Sequence, residues 1–458
     1  MEKKTLDIYP LVFPTGRLTE FTVQVNTQNE KLKGEYTVIA HRLDAGSALE
    51  DFTAWNRKDM LCKADGEGKI SFSYTADSEG EIYFRIYQGE QRIAQLSVYA
   101  VEGELSKRYP FRGDFHTHTI RSDGAETPAV VCANYRKKGY DFICITDHHR
   151  YYPSLEAINA FKDADISLQI MPGEEVQIPF TALHIVNAGG LFSVNGLIDN
   201  QFNYTDTNGD INARRLNENI QPPETISLQK YTEEIEEIER KLDAETPTFP
   251  KDVNKRWYAV LLWTVEKIRQ SDGLCIFAHP YWLCDVWHVP ERLTRYILER
   301  GDCDAFEVLG GENYYHQNGL QTALYYDEYR QGRIHAIVGS TDSHCSTAQN
   351  RNWDICSTIV FAEKNDRKSI VQAVKDKFSL AVDTISKEYR LVGEYRLQKY
   401  GTFLMENYFP IHDIWTARDG ECMQKYLNGE ADETALSVTS KQAETLIKKY
   451  IYLPDITE

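Results

Sequence analysis

Seven short apolar runs, each ending in or lying beside a histidine or a carboxylate, constrain this chain more than any other feature. The first is Phe111-Arg-Gly-Asp-Phe-His116-Thr-His118, and the last is Ala336-Ile-Val-Gly-Ser-Thr-Asp342-Ser-His344. Between them lie Asp141 to His148, Leu168 to Glu175, Leu183-His184-Ile-Val, Leu274 to Pro280 and Ala305 to Gly310. Residues two apart on an extended chain point to the same side, so His116/His118 and Asp342/His344 each form a pincer. A lone histidine at a strand end is usually a hydrogen-bonded structural residue. Six of the chain's 12 histidines at such ends exceed what that reading accounts for, and they point to a metal site.

Each run is a few apolar residues bounded by polar or turn residues, as in a strand buried on both faces. Helical stretches separate several of them. Thr127-Pro128 supplies an N-cap and first position for a helix to Lys138, with Gly139 as its stop. Ser154–Phe161, Trp257–Arg269 and Glu291–Arg300, stopped by Gly301, also read as helices. This alternation predicts an α/β fold with a mostly parallel sheet, closed or nearly closed into a barrel, with a site at the strand C-terminal ends. Mixed imidazole and carboxylate ligands suit Zn, Mn or Fe rather than Ca or Mg.

These residues resemble the PHP family, the polymerase and histidinol phosphatase superfamily of metal-dependent phosphoesterases. The resemblance rests on His116-Thr-His118, Ser122-Asp123-Gly124, Ile145-Thr-Asp-His148 and Pro172-Gly173-Glu174-Glu175, then His184-Ile-Val, Ala278-His279-Pro280 and Thr341-Asp342-Ser-His344. The motifs follow in family order over about residues 111–345. The tract His184-Ile-Val-Asn-Ala-Gly departs from the more usual His-aliphatic-Leu-Gly. The resemblance implies a distorted (β/α)7 barrel of PHP type carrying two to three divalent ions. It implies that His116, His118, Glu175 and Asp342 hold the first, that Glu175, His184 and His279 hold the second, and that Asp123, His148 and His344 hold the third. Glu175, rather than Glu174, fits the family's spacing from Gly173. The implied activity is hydrolysis of a phosphoester by a hydroxide between two metals, with Glu175, Asp342 and His344 at the chemistry. A carboxylate bridging two ions sets them about 3.5–4 Å apart, where both act on one phosphoryl group. Asp147 is expected to orient a ligand ring. His149 and Arg150 are candidate phosphate contacts, with a solvated loop as the rival reading.

Residues 1–105 read differently, as short alternating strands over Phe21–Val25, Tyr36–Ala40, Ile70–Tyr74, Ile82–Tyr87 and Ile93–Tyr99. They predict an antiparallel, immunoglobulin-like β-sandwich, joined by the linker Val101-Glu-Gly-Glu-Leu-Ser-Lys to a barrel domain over 106–385. A polar insertion at about 191–256 is a lid candidate with an acidic helix from Tyr231. Its Asp206-Thr-Asn208-Gly-Asp210 resembles a calcium loop only superficially, because the bidentate Glu is missing. Residues 386–458 read as a mainly helical extension for packing or oligomerisation.

With 69 acidic and 51 basic residues the net charge is −18, which repels polyanions at long range. Small phosphorylated metabolites or nucleotides are therefore expected rather than nucleic-acid polymers. Tyr281, Trp282, Trp287 and Tyr314-Tyr315 are candidates to stack on such a substrate, or to pack. Nine cysteines without paired spacing fit free thiols. No apolar stretch is long enough to span a bilayer, so a cytoplasmic protein is expected, although a chain lacking its signal peptide reads the same. A metal-dependent hydrolase of another bond, such as an amide, and a non-catalytic protein acting through its N-terminal sandwich are the alternatives. Three cation positions favour phosphate.

Overall fold

The computed structural model describes residues 6–26, 31–43, 58–177, 181–199, 225–244, 248–284, 286–311, 314–347, 355–385 and 390–453. The chain forms two compact units. One comprises residues 1–109, 399–414 and 442–458; the other comprises 110–398 and 415–441.

In the first unit, apolar and polar residues alternate so that each strand buries one face. Along Gly80–Gln88, Ile82, Phe84 and Ile86 are buried while Glu81, Tyr83 and Arg85 are half-buried. A three-stranded sheet runs Leu6–Tyr9, Thr19–Val25, Ile70–Tyr74. A five-stranded sheet runs Val12–Pro14, Gln91–Val101, Gly80–Gln88, Glu35–Arg42, Lys58–Lys63. Phe21 and Phe72 of the first sheet meet Phe13 and Phe84 of the second edge to face, with centroids 4.9–5.1 Å apart, a favoured ring geometry. All the expected strands form here. Three more join them, Leu6–Tyr9, Val12–Pro14 and Lys58–Lys63. The last is an edge strand with charged ends and a Leu61 that is 85% exposed, so it carries no alternation to read. The presumed linker continues the preceding strand to Val101 and then makes a 3-10 turn, Gly103–Lys107.

The C-terminal segment supplies residues to both units. Tyr400 and Phe403 pack on Tyr99 at 5.0 and 5.4 Å. The Tyr450 hydroxyl donates to Asp7 at 2.8 Å, and the amide of Leu11 donates to the Tyr450 carbonyl at 2.7 Å.

The second unit is mixed α/β. One sheet has the order Gln169–Met171, Phe142–Cys144, Tyr109–Asp114, Cys356–Ala362, Ser379–Asp383, Arg390–Val392. The other has the order Gly173–Gln177, His184–Ala188, Leu274–Phe277, Ala305–Leu309, Ile337–Gly339. Several of these strands, Leu274–Phe277 and Ala305–Leu309 among them, are buried throughout, as their unbroken apolar character requires. The helices Pro128–Lys137, Tyr152–Ala160, Lys255–Gln270 and Glu291–Arg300 fall where the sequence puts them, and Arg367–Lys375 adds another. Gly301 ends its helix at φ 65°, the left-handed stop that glycine supplies.

The expectation of a mostly parallel sheet is corrected. Gly173–Gln177 pairs antiparallel with His184–Ala188, which pairs antiparallel with Leu274–Phe277; the Cys356, Ser379 and Arg390 strands are antiparallel too. Six residues separate Gln177 from His184, too few for the crossover that parallel pairing needs. Two isolated parallel bridges, Thr117–Ser343 and His148–Glu175, connect segments of the two sheets.

Within the insertion, Leu228–Asp243 is helical and buries Tyr231, Ile235 and Leu242. Tyr231 meets Trp263 of Lys255–Gln270 edge to face at 4.9 Å, and Glu234 accepts from the Trp263 indole at 2.8 Å. This acidic helix is thus packed core structure on one face. The calcium-like loop at 206–210 lies outside the described residues. No described helix is long and apolar enough to cross a membrane.

Candidate metal centre

Backbone bonds tie together the loops that leave the strand ends. The amide of Asp342 donates to the His116 carbonyl and that of His118 to the Ser343 carbonyl, both at 2.9 Å. The amide of Glu175 donates to the Thr146 carbonyl at 3.1 Å, and that of His149 to the Glu175 carbonyl at 3.0 Å. Below them the buried Asp114 accepts from the amides of His116 and Thr341 at 3.0 and 3.1 Å; burial pushes its pKa up to about 7. Asp342, His279 and His149 adopt positive φ of 49°, 20° and 57°. Such conformations are costly for non-glycine residues and concentrate at functional sites.

All nine expected ligand residues converge. His116, His118, Glu175 and Asp342 form one group, Glu175, His184 and His279 a second, and His118, Asp123, His148 and His344 a third. His184 belongs to an antiparallel strand, so its position at that strand's first residue brings it to the same end as the others.

The two oxygens of Glu175 face different imidazoles. Its Oε2 lies 3.4, 3.5 and 2.6 Å from His116 Nε2, His118 Nε2 and His148 Nδ1. Its Oε1 lies 2.8 and 3.4 Å from His184 Nδ1 and His279 Nε2. Asp342 Oδ1 approaches His116 and His118 at 3.3 and 2.9 Å, and its Oδ2 approaches His279 at 3.7 Å. Asp123 Oδ2 approaches His148 and His344 at 3.5 and 3.2 Å. His116 Nε2, His184 Nδ1 and both Glu175 oxygens are buried without a directed hydrogen bond, despite these short separations. Lone pairs that crowd together without bonding one another are what a set of ligands for common cations presents. The residues therefore fit divalent ions.

The same crowding shifts the titration of these groups. Burial opposes ionisation of Glu175, yet His148, His116 and His184 hold its carboxyl well below the usual range. Burial likewise opposes protonation of His116, but Asp342, Glu175 and Glu307 hold its pKa well above normal. His118 is pushed down to about 3 by burial and by His148 and His344.

Supporting contacts fix two rings. His116 Nδ1 lies 3.0 Å from Glu307 Oε2, and His344 Nδ1 lies 2.9 Å from the Asp342 carbonyl. Both partners only accept, so Nδ1 carries the proton and Nε2 turns to the cluster. Sequence reasoning left Glu307 off the site, although a lone carboxylate inside Ala305-Phe-Glu-Val-Leu, buried throughout, was its signal. Asp147 does not orient a ring as expected. It accepts from the Thr119 amide and from the Thr119 and Ser122 hydroxyls at 2.6–3.0 Å, fixing the turn that leads to Asp123. Glu174 points to the opposite face of its strand from Glu175 and accepts from Asn187, Ser193, Val194 and Asn195. His149 is half-buried and Arg150 buried, directly after His148. Trp282 stands 5.6 and 5.7 Å from the rings of His184 and His279, Tyr281 is buried, and Trp287 is 68% exposed. The side chains of Tyr314 and Tyr315 lie outside the described ones.

The PHP domain family matches residues 114–269, a span that holds His116 through His184 and ends before His279, Asp342 and His344. No curated protein matches the chain. Among solved structures, a two-domain Bacteroides vulgatus protein containing a predicted PHP-like metal-dependent phosphoesterase is 16% identical, with a TM-score of 0.41, over 67% of this chain and 72% of its own. A Bifidobacterium adolescentis protein, provisionally described as a metal-dependent phosphoesterase, is 15% identical with a TM-score of 0.32, over 53% and 91%. An amidohydrolase from Chromobacterium violaceum with bound sulfate and no metal is 21% identical with a TM-score of 0.29, over 51% and 87%. By its motifs and the family match, the chain carries a PHP domain.

Proposed function

We propose that this protein is a metal-dependent phosphoesterase acting on a small phosphorylated metabolite or nucleotide. One observation carries the reading: the buried carboxylate of Glu175 divides its oxygens between two sets of imidazoles, with a third His/Asp group alongside. Divalent Zn, Mn or Fe would supply Lewis acidity there, activating water and offsetting phosphoryl charge. His116, His118, Asp342 and Glu175 Oε2 would hold one ion, and His184, His279 and Glu175 Oε1 a second. Asp123, His148 and His344 would hold a third, where the anionic group needs one. Glu307 keeps His116 in the tautomer that turns Nε2 inward. His149 and Arg150, following His148, are assigned to the substrate phosphate. The net charge of −18 supports a small substrate over a polyanion. The two inter-sheet bridges support reading the second unit as a distorted seven-stranded barrel. The ring contacts between the two sheets of the first unit support an immunoglobulin-like sandwich.

The test is metal content of the purified protein together with phosphate release from a phosphoester panel under Mn, Zn and Fe. Two to three ions per chain with turnover is the expected result. Metal without hydrolysis of any phosphoester removes the phosphoesterase reading, and no tight metal under any loading condition overturns the centre itself.

A further inference from the structure

We propose that Gln317 is a substrate-contacting residue, its amide bonding an oxygen of the phosphoryl compound held at the His279–Asp342 side of the centre. The inference rests on the phosphoesterase reading above. After Ala305–Leu309 the chain turns through Gly310 and Gly311 into a π-helical turn, Tyr314–Asn318, that runs into the helix Gly319–Arg330. Such wide turns recur at functional sites.

Three buried amides lie on this segment, at Gln317, Asn318 and Gln321. Two are spent on the scaffold. Asn318 Oδ1 accepts from the Gly310 amide at 2.8 Å. Gln321 Nε2 donates to the Glu307 carbonyl at 3.0 Å, and its Oε1 accepts from the Tyr281 amide at 3.4 Å. Gln317 is different. It has no exposed surface, and neither its Nε2 nor its Oε1 has a hydrogen-bond partner. Burying an amide with both ends unbonded is costly, and in a native protein it calls for a partner.

The surroundings indicate which. A methyl group built on Gly311 would lie 3.0 and 3.1 Å from the Gln317 amide atoms and 3.3 Å from Asp342 Oδ2. One built on Gly310 would collide with Glu307 Oε1 and lie 3.3 Å from Gln317 Nε2. The Gln317 amide thus lies close to Asp342 across Gly311 and to Glu307 across Gly310, two glycines permitting the approach. Asp342 Oδ2 also faces His279. A neutral amide suits a phosphoester beside cations: its NH2 can donate to a phosphoryl oxygen without competing for metal, and its carbonyl can accept from a hydroxyl. Another carboxylate at this point would repel the same anion.

The test compares wild type with Gln317→Met, nearly isosteric and without polar atoms, and with Gln317→Glu. Manganese content, thermal midpoint, binding of inorganic phosphate to the manganese-loaded protein, and KM and kcat on the best ester of the panel are measured. For Gln317→Met we expect unchanged manganese and an equal or higher midpoint. Phosphate affinity should weaken, and KM rise, by about tenfold or more, the loss of one hydrogen bond to an anion. Gln317→Glu should bind phosphate more weakly still. Unchanged phosphate affinity in both variants overturns the inference while leaving phosphoester turnover standing. A lowered midpoint in Gln317→Met with unchanged phosphate affinity makes the amide a scaffold bond and overturns it too. If wild type turns over no ester but phosphate binding still depends on Gln317, the functional reading falls and the contact stands. Manganese-loaded wild type that binds no phosphate overturns both.

Discussion

Arg136 and Glu175 are both charged side chains with no exposed surface in the second unit, but their surroundings treat them oppositely. Arg136 donates to Asp419 at 2.7 Å, to Asp141 and the Tyr140 carbonyl at 3.0 Å, and to Ser167. Asp419 in turn accepts from Ser167 and Ser440, and Asp141 from the Arg112 amide. Glu175 lies within 3.5 Å of five imidazoles, yet neither of its oxygens has a directed hydrogen bond. Desolvation penalises both groups alike. The network around Arg136 offsets that penalty internally and is scaffold. The group around Glu175 has no such directed network and is the arrangement that a cation would complete. Degree of satisfaction, rather than depth of burial, separates architecture from function here.

The strongest way to break this contrast is at the cluster. His116→Ala or Asp342→Ala should lower phosphate release by at least about two orders of magnitude, because each removes a donor to an ion that carries several kcal/mol of the acceleration. The far-ultraviolet circular dichroism should stay native; wild-type turnover in either variant refutes the centre. Glu175→Gln should next cost both of the ions that its two oxygens face, read as metal per chain by elemental analysis. Retention of the full complement would show that the carboxylate does not bridge. At the scaffold, Arg136→Met should strand Asp141 and Asp419 and lower stability by about 3–5 kcal/mol. Folded protein should nevertheless keep its metal content. A metal loss matching the Glu175 variant would erase the distinction drawn above.

Smaller effects sharpen it. Glu307→Gln exchanges the carboxylate that accepts from His116 Nδ1, so metal affinity should fall about 10- to 100-fold with the ligands intact. A chelator titration with unchanged affinity would leave Glu307 a bystander. Glu174→Gln should change metal content least of all, since that side chain serves the 193–195 segment. Metal loss in this variant would mean the strand register is shifted by one residue.

Much of the centre was readable because its parts are local. Histidines and carboxylates fall at or just beyond the ends of short apolar runs, and a two-residue spacing already orients a pair such as His116 and His118. Glu307 and Gln317 were harder. Each is a single polar residue whose role depends on a neighbour distant in sequence, His116 for one and Asp342 for the other. The helices were legible from their caps and stops, Thr127-Pro128 and Gly301 among them. The antiparallel pairing of Gly173–Gln177 with His184–Ala188 was obscured because strand polarity leaves no trace in apolar pattern; only connection length reveals it. Lys58–Lys63 escaped because an edge strand need not alternate.

The clasp between Tyr450 and Asp7 joins residues 443 positions apart. Val12 likewise pairs with Ile451 in an isolated parallel bridge. During synthesis at about 5–20 residues per second, the edge of the β-rich unit would wait roughly 20–90 s for its cover. The edge strand Val12–Pro14 is therefore expected to stay open until Tyr450 and Ile451 have been made. Pulsed proteolysis of ribosome-held chains, stopped on either side of residue 442, would time that closure.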